Sequence, residues 1–244
     1  MLGSIIVAVS ILKKNIVTRN IIFGIFLSAL VLLGCSKSYL TESAKTPSEI
    51  VQMAQLAVGE VQNFTFELVH KKGYIDLGNG LNLIHAHGYT SQNDFEIHTE
   101  STLGRSLIKS DAVVIGGRTW ITNPITGKWS EIPSDDSPIN FLDPTVLIKN
   151  ILSDLSNLQL LGEDESVYEV SAETYSDSFE SLVGLVKTGN KIKIEMKINK
   201  LSNYLEQVTI NGQIQLNDDD DFERVIYFSK YNQAKILTPP TEND

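Results

Sequence analysis

The sequence predicts an α+β fold in which a curved antiparallel sheet wraps over about three amphipathic helices. Most of the chain after residue 62 alternates apolar and polar side chains, a pattern typical of strands that bury one face. Roughly nine or ten such strands are expected, interrupted by three segments with helical spacing. Because an antiparallel sheet with one apolar face needs a cover, the helices are expected to pack against that face.

Two of the predicted helices begin with recognisable capping residues. Thr46, Pro47 and Glu49 match a capping box, with Thr46 as the N-cap and Pro47 at the first helical position. The second helix opens in the same way at Asp143 and Pro144. Apolar stripes support both helices: Ile50, Ala54, Ala57, Val58 and Val61 in the first, and Leu147, Ile151 and Leu155 in the second. A third helix is predicted from about residue 176 to residue 186.

The strands follow from the period-two alternation. They are predicted at 63–68, 81–83, 95–97, 111–115, 118–122, 158–162, 166–174, 191–199, 204–210 and 223–231. The acidic run at 217–221 is predicted to be a solvated hairpin loop between the last two strands. Residues 238–244 are expected to be a disordered tail, which leaves 47–237 as a single domain.

Residues 1–34 are predicted to be an export signal. Their apolar run at 21–34 has 14 residues and follows Lys13, Lys14 and Arg19. A helix that spans a bilayer needs about 20 apolar residues, so the run suits the core of a signal peptide instead. Residues 1–12 add a second apolar stretch that such a signal does not need, and translation is therefore expected to begin near Val17.

The only cysteine, Cys35, directly follows this run and cannot form an internal disulfide. The sequence Leu32-Leu33-Gly34-Cys35 resembles the lipobox of bacterial lipoproteins, although Leu33 is bulkier than the small residue usual there. In a lipobox the cysteine thiol receives a diacylglyceryl group. The resemblance implies an exported protein held by lipid on Cys35 to the outer face of the cell membrane, or to an outer membrane if the bacterium has two. Residues 35–46 then form the lipidated cysteine and a polar tether.

The charge of the exported part argues against nucleic acid as a partner. All 30 acidic residues follow Cys35, whereas 3 of the 20 Lys and Arg residues precede it, which leaves a formal charge of −13. Such a surface repels phosphate backbones and anionic lipid headgroups. Attachment to a membrane is therefore expected to come from the lipid anchor.

A family resemblance lies in the middle of the chain. The stretch 116–129, Gly-Gly-Arg-Thr-Trp-Ile-Thr-Asn-Pro-Ile-Thr-Gly-Lys-Trp, leads through Pro133 to Phe141-Leu142-Asp143-Pro144. It resembles the central signature of the LppX/LprAFG lipoprotein family, in which a strand ending in a "TGxW" turn precedes an "FDP" helix start. Here Leu142 is inserted in the second motif. The order of elements agrees across nearly the whole chain after Cys35.

The resemblance implies a half-barrel of antiparallel strands around helices, similar to the LolA/LolB carriers. In that family an apolar cavity takes the acyl chains of a lipid or glycolipid, which is carried or presented across the cell envelope, with a lipid exporter as a possible partner. The family has no catalytic residues. Two alternatives stay open: an envelope module of the same fold with a filled core and an acidic face for a protein partner, and, less favoured, a hydrolase.

The candidate cavity residues are the apolar side chains on the inward faces of the predicted strands and helices. They are Phe64, Phe66, Leu68, Leu81, Leu83, Leu147, Ile151, Leu182, Val186, Ile192, Ile194, Met196 and Ile198. Ordinary core packing is the alternative role for each of them, since aliphatic stripes are usually core. Only an unfilled space between sheet and helices distinguishes the two roles.

The sequence offers no pattern for catalysis or for a cofactor. It contains no Gly-x-Ser-x-Gly and no His-Glu-x-x-His, so an enzyme is not expected. His85 and His87 lie two apart and share one face of a predicted strand, a spacing that two metal ligands could use. With no available cysteine and no evident third ligand, neither a metal nor another cofactor is expected.

Overall fold

Twelve antiparallel strands form one sheet in a computed structural model that describes residues 44–241 without 93, 134–136, 138 and 140. In chain order they are β1 (Asn63–Lys72), β2 (Ile75–Asp76), β3 (Leu81–Ser91), β4 (Asp94–Leu103), β5 (Ser106–Ile115), β6 (Arg118–Thr122), β7 (Trp129–Ile132), β8 (Ser156–Glu163), β9 (Val167–Tyr175), β10 (Lys191–Asn199), β11 (Leu205–Asn211) and β12 (Glu223–Ser229). The order across the sheet is β7-β6-β5-β4-β3-β1-β12-β11-β10-β9-β8, and β2 pairs with β3. Within these residues β7 and β8 are the edges and the sheet does not close, which confirms the predicted α+β half-barrel.

All ten predicted strands are present, and the sheet contains two more. β2 has only two residues and β7 has four, which is too short for a period-two pattern to stand out in the sequence. β5 also begins earlier than predicted, at Ser106, because it pairs with β4 as far as the hairpin at Gly104. The period-two alternation therefore predicted the long strands well and missed the short ones.

Two helices start at the predicted caps. α1 (Pro47–Gly59) is closed by a reciprocal capping box, in which the Glu49 amide donates to Thr46 Oγ1 at 3.3 Å and Glu49 Oε2 accepts from the Thr46 amide at 2.8 Å. α2 (Pro144–Leu152) begins where Asp143 Oδ1 accepts from the amides of Thr145 and Val146 at 3.0 and 2.9 Å. Both caps satisfy amides that have no partner inside the helix.

The third helix is shorter than predicted. A 3₁₀ turn (Ser176–Phe179) leads into α3 (Glu180–Val183), and the helix ends at Gly184, whose φ is 76°. A Cβ at this glycine would lie 3.1 Å from the Phe141 ring, so the left-handed turn is packed tightly against the segment before α2. The prediction of a helix that continues to Val186 is wrong, because the left-handed glycine turns the chain back toward β10.

The filled part of the core lies between β9–β11 and the helices. The inward side chains of β10 are 0–1% exposed, as are Ile50 and Ala54 of α1. Gln55 of α1 donates to the carbonyl oxygen of Leu152 in α2 at 2.7 Å, which joins the two helices above the sheet. No helix in the described ranges is long and apolar enough to cross a membrane.

The chain after β12 follows the outer face of β3 and β4. The amide of Lys235 donates to the hydroxyl oxygen of Tyr89 at 2.8 Å, and the Lys235 ammonium pairs with Glu96. Tyr89 is only 5% exposed although it points away from the concave face. Residues 230–241 contain no helix or strand.

Candidate functional site

A cavity of about 410 Å³ lies between the concave face of the sheet and α2. Small-molecule sites usually measure about 300–1,000 Å³. Its apolar strand lining comprises Phe66, Leu68, Leu81, Leu83, Ala86, Ile97, Ile108, Ala112, Ile121, Ile226 and Phe228. Its helix and loop lining comprises Leu77, Ile139, Phe141, Leu142, Pro144, Leu147 and Leu182. The solvent-exposed lining residues Asn123, Pro124 and Ser130 mark its mouth.

Small inward residues leave this space open. Ala86 of β3 and Ala112 of β5 line the cavity where β10 carries isoleucine and methionine. Gly88 pairs with Phe66, and a Cβ on Gly88 would lie 2.8 Å from the Phe66 ring and 2.2 Å from the carbonyl oxygen of Glu96. The absence of a side chain at Gly88 thus makes room for the Phe66 ring against β3.

The roof of the cavity is held by hydrogen bonds to both the sheet and α3. Pro144 and Leu147 of α2 line the space. Thr145 Oγ1 donates to the carbonyl oxygen of Gln92 at 3.0 Å, and the amide of Asp143 donates to the carbonyl oxygen of Ser181 at 3.2 Å. These bonds fix the start of α2, so that its apolar face lies over the strands without collapsing onto them.

Six of the thirteen predicted cavity residues line this space. They are Phe66, Leu68, Leu81, Leu83, Leu147 and Leu182. Phe64, Ile151, Ile192, Ile194, Met196 and Ile198 are instead buried among core side chains, and Val186 packs half-buried against that core in the loop after α3. None of these seven is among the described lining residues. Contact of any of the thirteen with a ligand stays a prediction.

Other lining residues were not selected from the sequence, although some carried the same signal. Ile97 and Phe228 belong to predicted strands and alternate with polar neighbours, so the period-two pattern could have found them. Phe141, Leu142 and Ile139 lie in the loop before α2, where no periodicity marks an inward side chain.

One wall of the cavity is polar but uncharged. Thr99 and Ser101 of β4, Ser110 of β5 and Thr122 of β6 line it together with Asn123 and Ser130. Thr99 Oγ1 donates to the carbonyl oxygen of Ser110 at 2.8 Å, and Ser110 Oγ donates to that of Thr122 at 3.2 Å. The described lining residues include no Asp, Glu, Lys, Arg or His.

A buried charged group lies beside the cavity, on the same face of β1 and β12. Arg224 is 0% exposed and its Nη2 donates to Asp218 Oδ1 at 2.7 Å and to the carbonyl oxygen of Tyr74 at 2.8 Å. Asp218 Oδ2 in turn accepts the amides of Ile214 and Gln215. The prediction that 217–221 is simply a solvated loop is therefore wrong for Asp218, whose carboxylate holds the loop onto the arginine.

His70 pairs with Arg224 across β1 and β12. Burial and, to a smaller extent, the nearby Arg224 charge together lower the pKa of His70 to about 4, although its hydrogen bond with the carbonyl oxygen of Ile84 acts in the opposite direction. The imidazole is therefore neutral at pH 7. A second positive charge beside Arg224 is avoided in this way.

The other three histidines lie together on the outer face. The His87 ring is 5.5 Å from the His85 ring and stacks on the His98 ring at 4.9 Å. Glu67 and Asp111 bind His85 and His98 at 3.0 and 2.7 Å. No group of three or more His, Cys, Asp or Glu side chains in the described part of the chain is arranged to hold a metal ion.

The likeness to solved structures concerns the fold. No protein-family model matches the sequence, and no curated protein matches it significantly. LprF from Mycobacterium bovis superimposes with a TM-score of 0.60 at 12% identity, over 80% of this chain and 96% of that one. The Mycobacterium tuberculosis lipoprotein LppX gives 0.54 at 15% identity, over 78% of this chain and 96% of that one. The predicted resemblance is thus confirmed at the level of the fold, an open half-barrel that covers helices.

Proposed function

We propose that this protein is a membrane-anchored lipoprotein that binds the acyl chains of a lipid or glycolipid and carries or presents the lipid across the cell envelope. The observation that supports it is the cavity of about 410 Å³, whose lining is mainly aliphatic and whose interior is not filled by side chains. Each methylene moved from water into such a site contributes about 0.8 kcal/mol. An acyl chain therefore binds strongly there, whatever its headgroup.

The apolar lining favours this function over an interaction module with a filled core. A domain that only binds protein partners gains stability by closing an internal space, because an unfilled space forfeits dispersion contacts along its whole wall. Here small residues keep the space open beneath a helix that is capped and hydrogen-bonded in place. The same proposal treats the protein as a carrier without catalytic residues.

The anchor belongs to the same proposal. Cys35 and the signal at 1–34 lie outside the described residues. Cys35 is proposed to carry the lipid that holds the domain at the outer face of the membrane, where a lipid exporter is a suitable partner. Replacing Cys35 with Ser is expected to release the protein or to leave an unprocessed precursor. Membrane retention of a processed Cys35→Ser protein would contradict the anchor.

The binding function is tested by photo-crosslinking in whole cells. Cells expressing the full chain are fed a fatty acid with a diazirine and an alkyne, which enters their lipids, and labelled peptides are then identified by mass spectrometry. Label is expected on peptides that contain cavity residues such as Leu83 and Ile97. Label confined to the outer face of the sheet, or no label beyond Cys35, would favour the interaction module instead.

A further inference from the structure

We propose that the cavity recognises an acyl ester, and that Ser101 donates the hydrogen bond to its carbonyl oxygen; this rests on the proposed function. The inference concerns which lipids bind, since an aliphatic pocket alone distinguishes chains only weakly. The cargo is then an acylated glycerol or an acylated sugar, two sources of the same ester chemistry.

The hydroxyl-bearing wall is continuous across three strands. Thr99 pairs with Ser110 on the neighbouring strand, and Ser101 follows Thr99 on the same face of β4. Ser110 Oγ lies 3.4 Å from Thr122 Oγ1 at the end of β6. Thr99, Ser110 and Thr122 therefore form one band across β4–β6, and Ser101 extends it along the inward face of β4.

Most of these hydroxyls already donate to the protein. Thr99 and Ser110 donate to backbone carbonyl oxygens, and Thr122 Oγ1 lies 3.4 Å from the carbonyl oxygen of Asp111 while it accepts the Asp111 amide at 2.8 Å. Ser101 differs: it is 4% exposed, lines the cavity, and its hydroxyl has no hydrogen-bond partner among the described residues. Ser101 is thus the buried donor of the band that a ligand can use.

The chemistry of the lining selects the ligand group. A buried hydroxyl without a partner is costly, and a pure hydrocarbon would leave Ser101 in that condition. A carboxylate or phosphate inside the cavity would be an unpaired buried charge, because no cationic side chain is among the described lining residues. An ester carbonyl is uncharged and accepts one hydrogen bond, so it satisfies Ser101 without that cost.

The position of the band also fits an ester. The aliphatic wall formed by Leu68, Leu83 and Ile226 faces the chains, and the exposed Asn123 and Ser130 lie where a headgroup leaves the cavity. In an acylated glycerol or sugar the ester links these two parts. Ser101 pairs with the lining residues Leu83 on β3 and Ile108 on β5, so its hydroxyl is a polar group among aliphatic side chains, as the ester of an acyl chain is.

The test compares two photo-crosslinking lipids on the full-length protein in isolated membranes. One is a diacyl phosphatidylcholine and the other its dialkyl ether analogue, each with a diazirine at the same chain position. The ester lipid is expected to label cavity peptides about threefold to tenfold more than the ether lipid, as the loss of one hydrogen bond implies. Ser101→Ala should reduce ester labelling to the ether level, whereas Ser101→Thr, which keeps a hydroxyl, should retain the preference.

Ser171→Ala is the matched control, because Ser171 is a buried strand serine outside the described lining. It should leave the ester preference unchanged. An acylated trehalose probe in a parallel arm distinguishes a sugar from a glycerol source by its yield relative to the phospholipid. Equal labelling by ester and ether lipids, unchanged in Ser101→Ala, would overturn the inference and leave the proposed function standing. Failure of every probe to label cavity peptides would overturn both.

Discussion

The two flanks of the sheet bury their concave faces in different ways. On β9–β11, isoleucine, valine and methionine side chains fill the space beneath α1, and the inward residues of β10 are 0–1% exposed. On β3–β6, alanine, threonine and serine take many of the corresponding positions and leave the cavity under α2. On both flanks, inward and outward side chains alternate along each strand with a period of two. The period therefore decides which face is buried, and side-chain volume decides whether the space beneath it is filled.

The largest effect is expected from placing one bulky residue on each flank. Ala112→Phe adds a ring to the cavity wall, so it should reduce lipid crosslinking at least about tenfold with little loss of stability. Ala172→Phe places the same ring in the filled flank, where overpacking costs about 1–3 kcal/mol. Crosslinking yields and urea unfolding measure the two quantities. Full lipid labelling of Ala112→Phe would show that the cavity is not the site.

Shortening one inward side chain on each flank should destabilise the filled flank more than the cavity flank. Ile194→Ala removes a fully buried side chain from the filled flank and is expected to cost about 2–5 kcal/mol. Leu83→Ala removes a side chain that already borders empty space and therefore loses fewer contacts, so its cost should be about 2 kcal/mol or less. Urea unfolding of both variants checks the difference. Equal costs would mean that the two flanks are packed alike.

Lowering the pH should reduce the free energy of unfolding through His70, which lies where β1 pairs with β12, between the two flanks. Burial lowers the pKa of His70 to about 4, below the 6.5 of a free imidazole. The unfolded chain then binds the proton first, so this contribution to stability is complete above pH 6.5 and is lost as pH falls toward 4. It amounts to about 3 kcal/mol.

Urea unfolding at pH 7.5 and pH 4.5 measures this loss. His70→Gln should show a smaller loss over the same interval, whereas His87→Gln, on the exposed outer face, should behave more like the parent protein. An identical pH dependence in His70→Gln would exclude this histidine as the cause.

The smallest effects on stability are expected from removing the N-cap of each of the two long helices. Thr46→Ala and Asp143→Ala should each cost about 1 kcal/mol, because each removes one N-cap. Only Asp143 holds the helix above the cavity, so Asp143→Ala should also speed the release of a fluorescent lipid from the purified protein. Stopped-flow transfer to acceptor vesicles measures this release. A similar acceleration in Thr46→Ala would attribute the effect to general loosening.

Local sequence signals predicted the fold well. The N-caps Thr46 and Asp143, the prolines after them and the long alternating strands are determined by residues a few positions apart, and the structure contains them as predicted. The predicted end of the third helix was wrong because Gly184 adopts a left-handed turn that packs tightly against Phe141. This contact joins distant parts of the chain. The burial of Asp218 escaped prediction for the same reason, since its partner Arg224 faces it only after the loop folds back.

The cavity was harder to predict than the fold. Ile192 and Leu83 look alike in the sequence, yet one is core and the other borders open space. The sequence feature that marks the cavity is a break in the apolar pattern: Thr99, Ser101 and Ser110 are polar residues on the otherwise apolar inward face of β4 and β5. Residues of that kind in an otherwise buried face indicate a wall that faces something other than protein.

The open edges of the sheet bear on the size of the cargo. In a closed barrel, strand number and shear fix the circumference, so the interior volume is set when the last hydrogen bonds form. This sheet ends at β7 and β8, and the described residues form no ladder between them. Outward bending of the β7 flank therefore widens the interior without breaking a strand ladder. The cavity volume of about 410 Å³ is thus a lower bound, and the proposed lipid-binding function is compatible with lipids that differ in their number of chains.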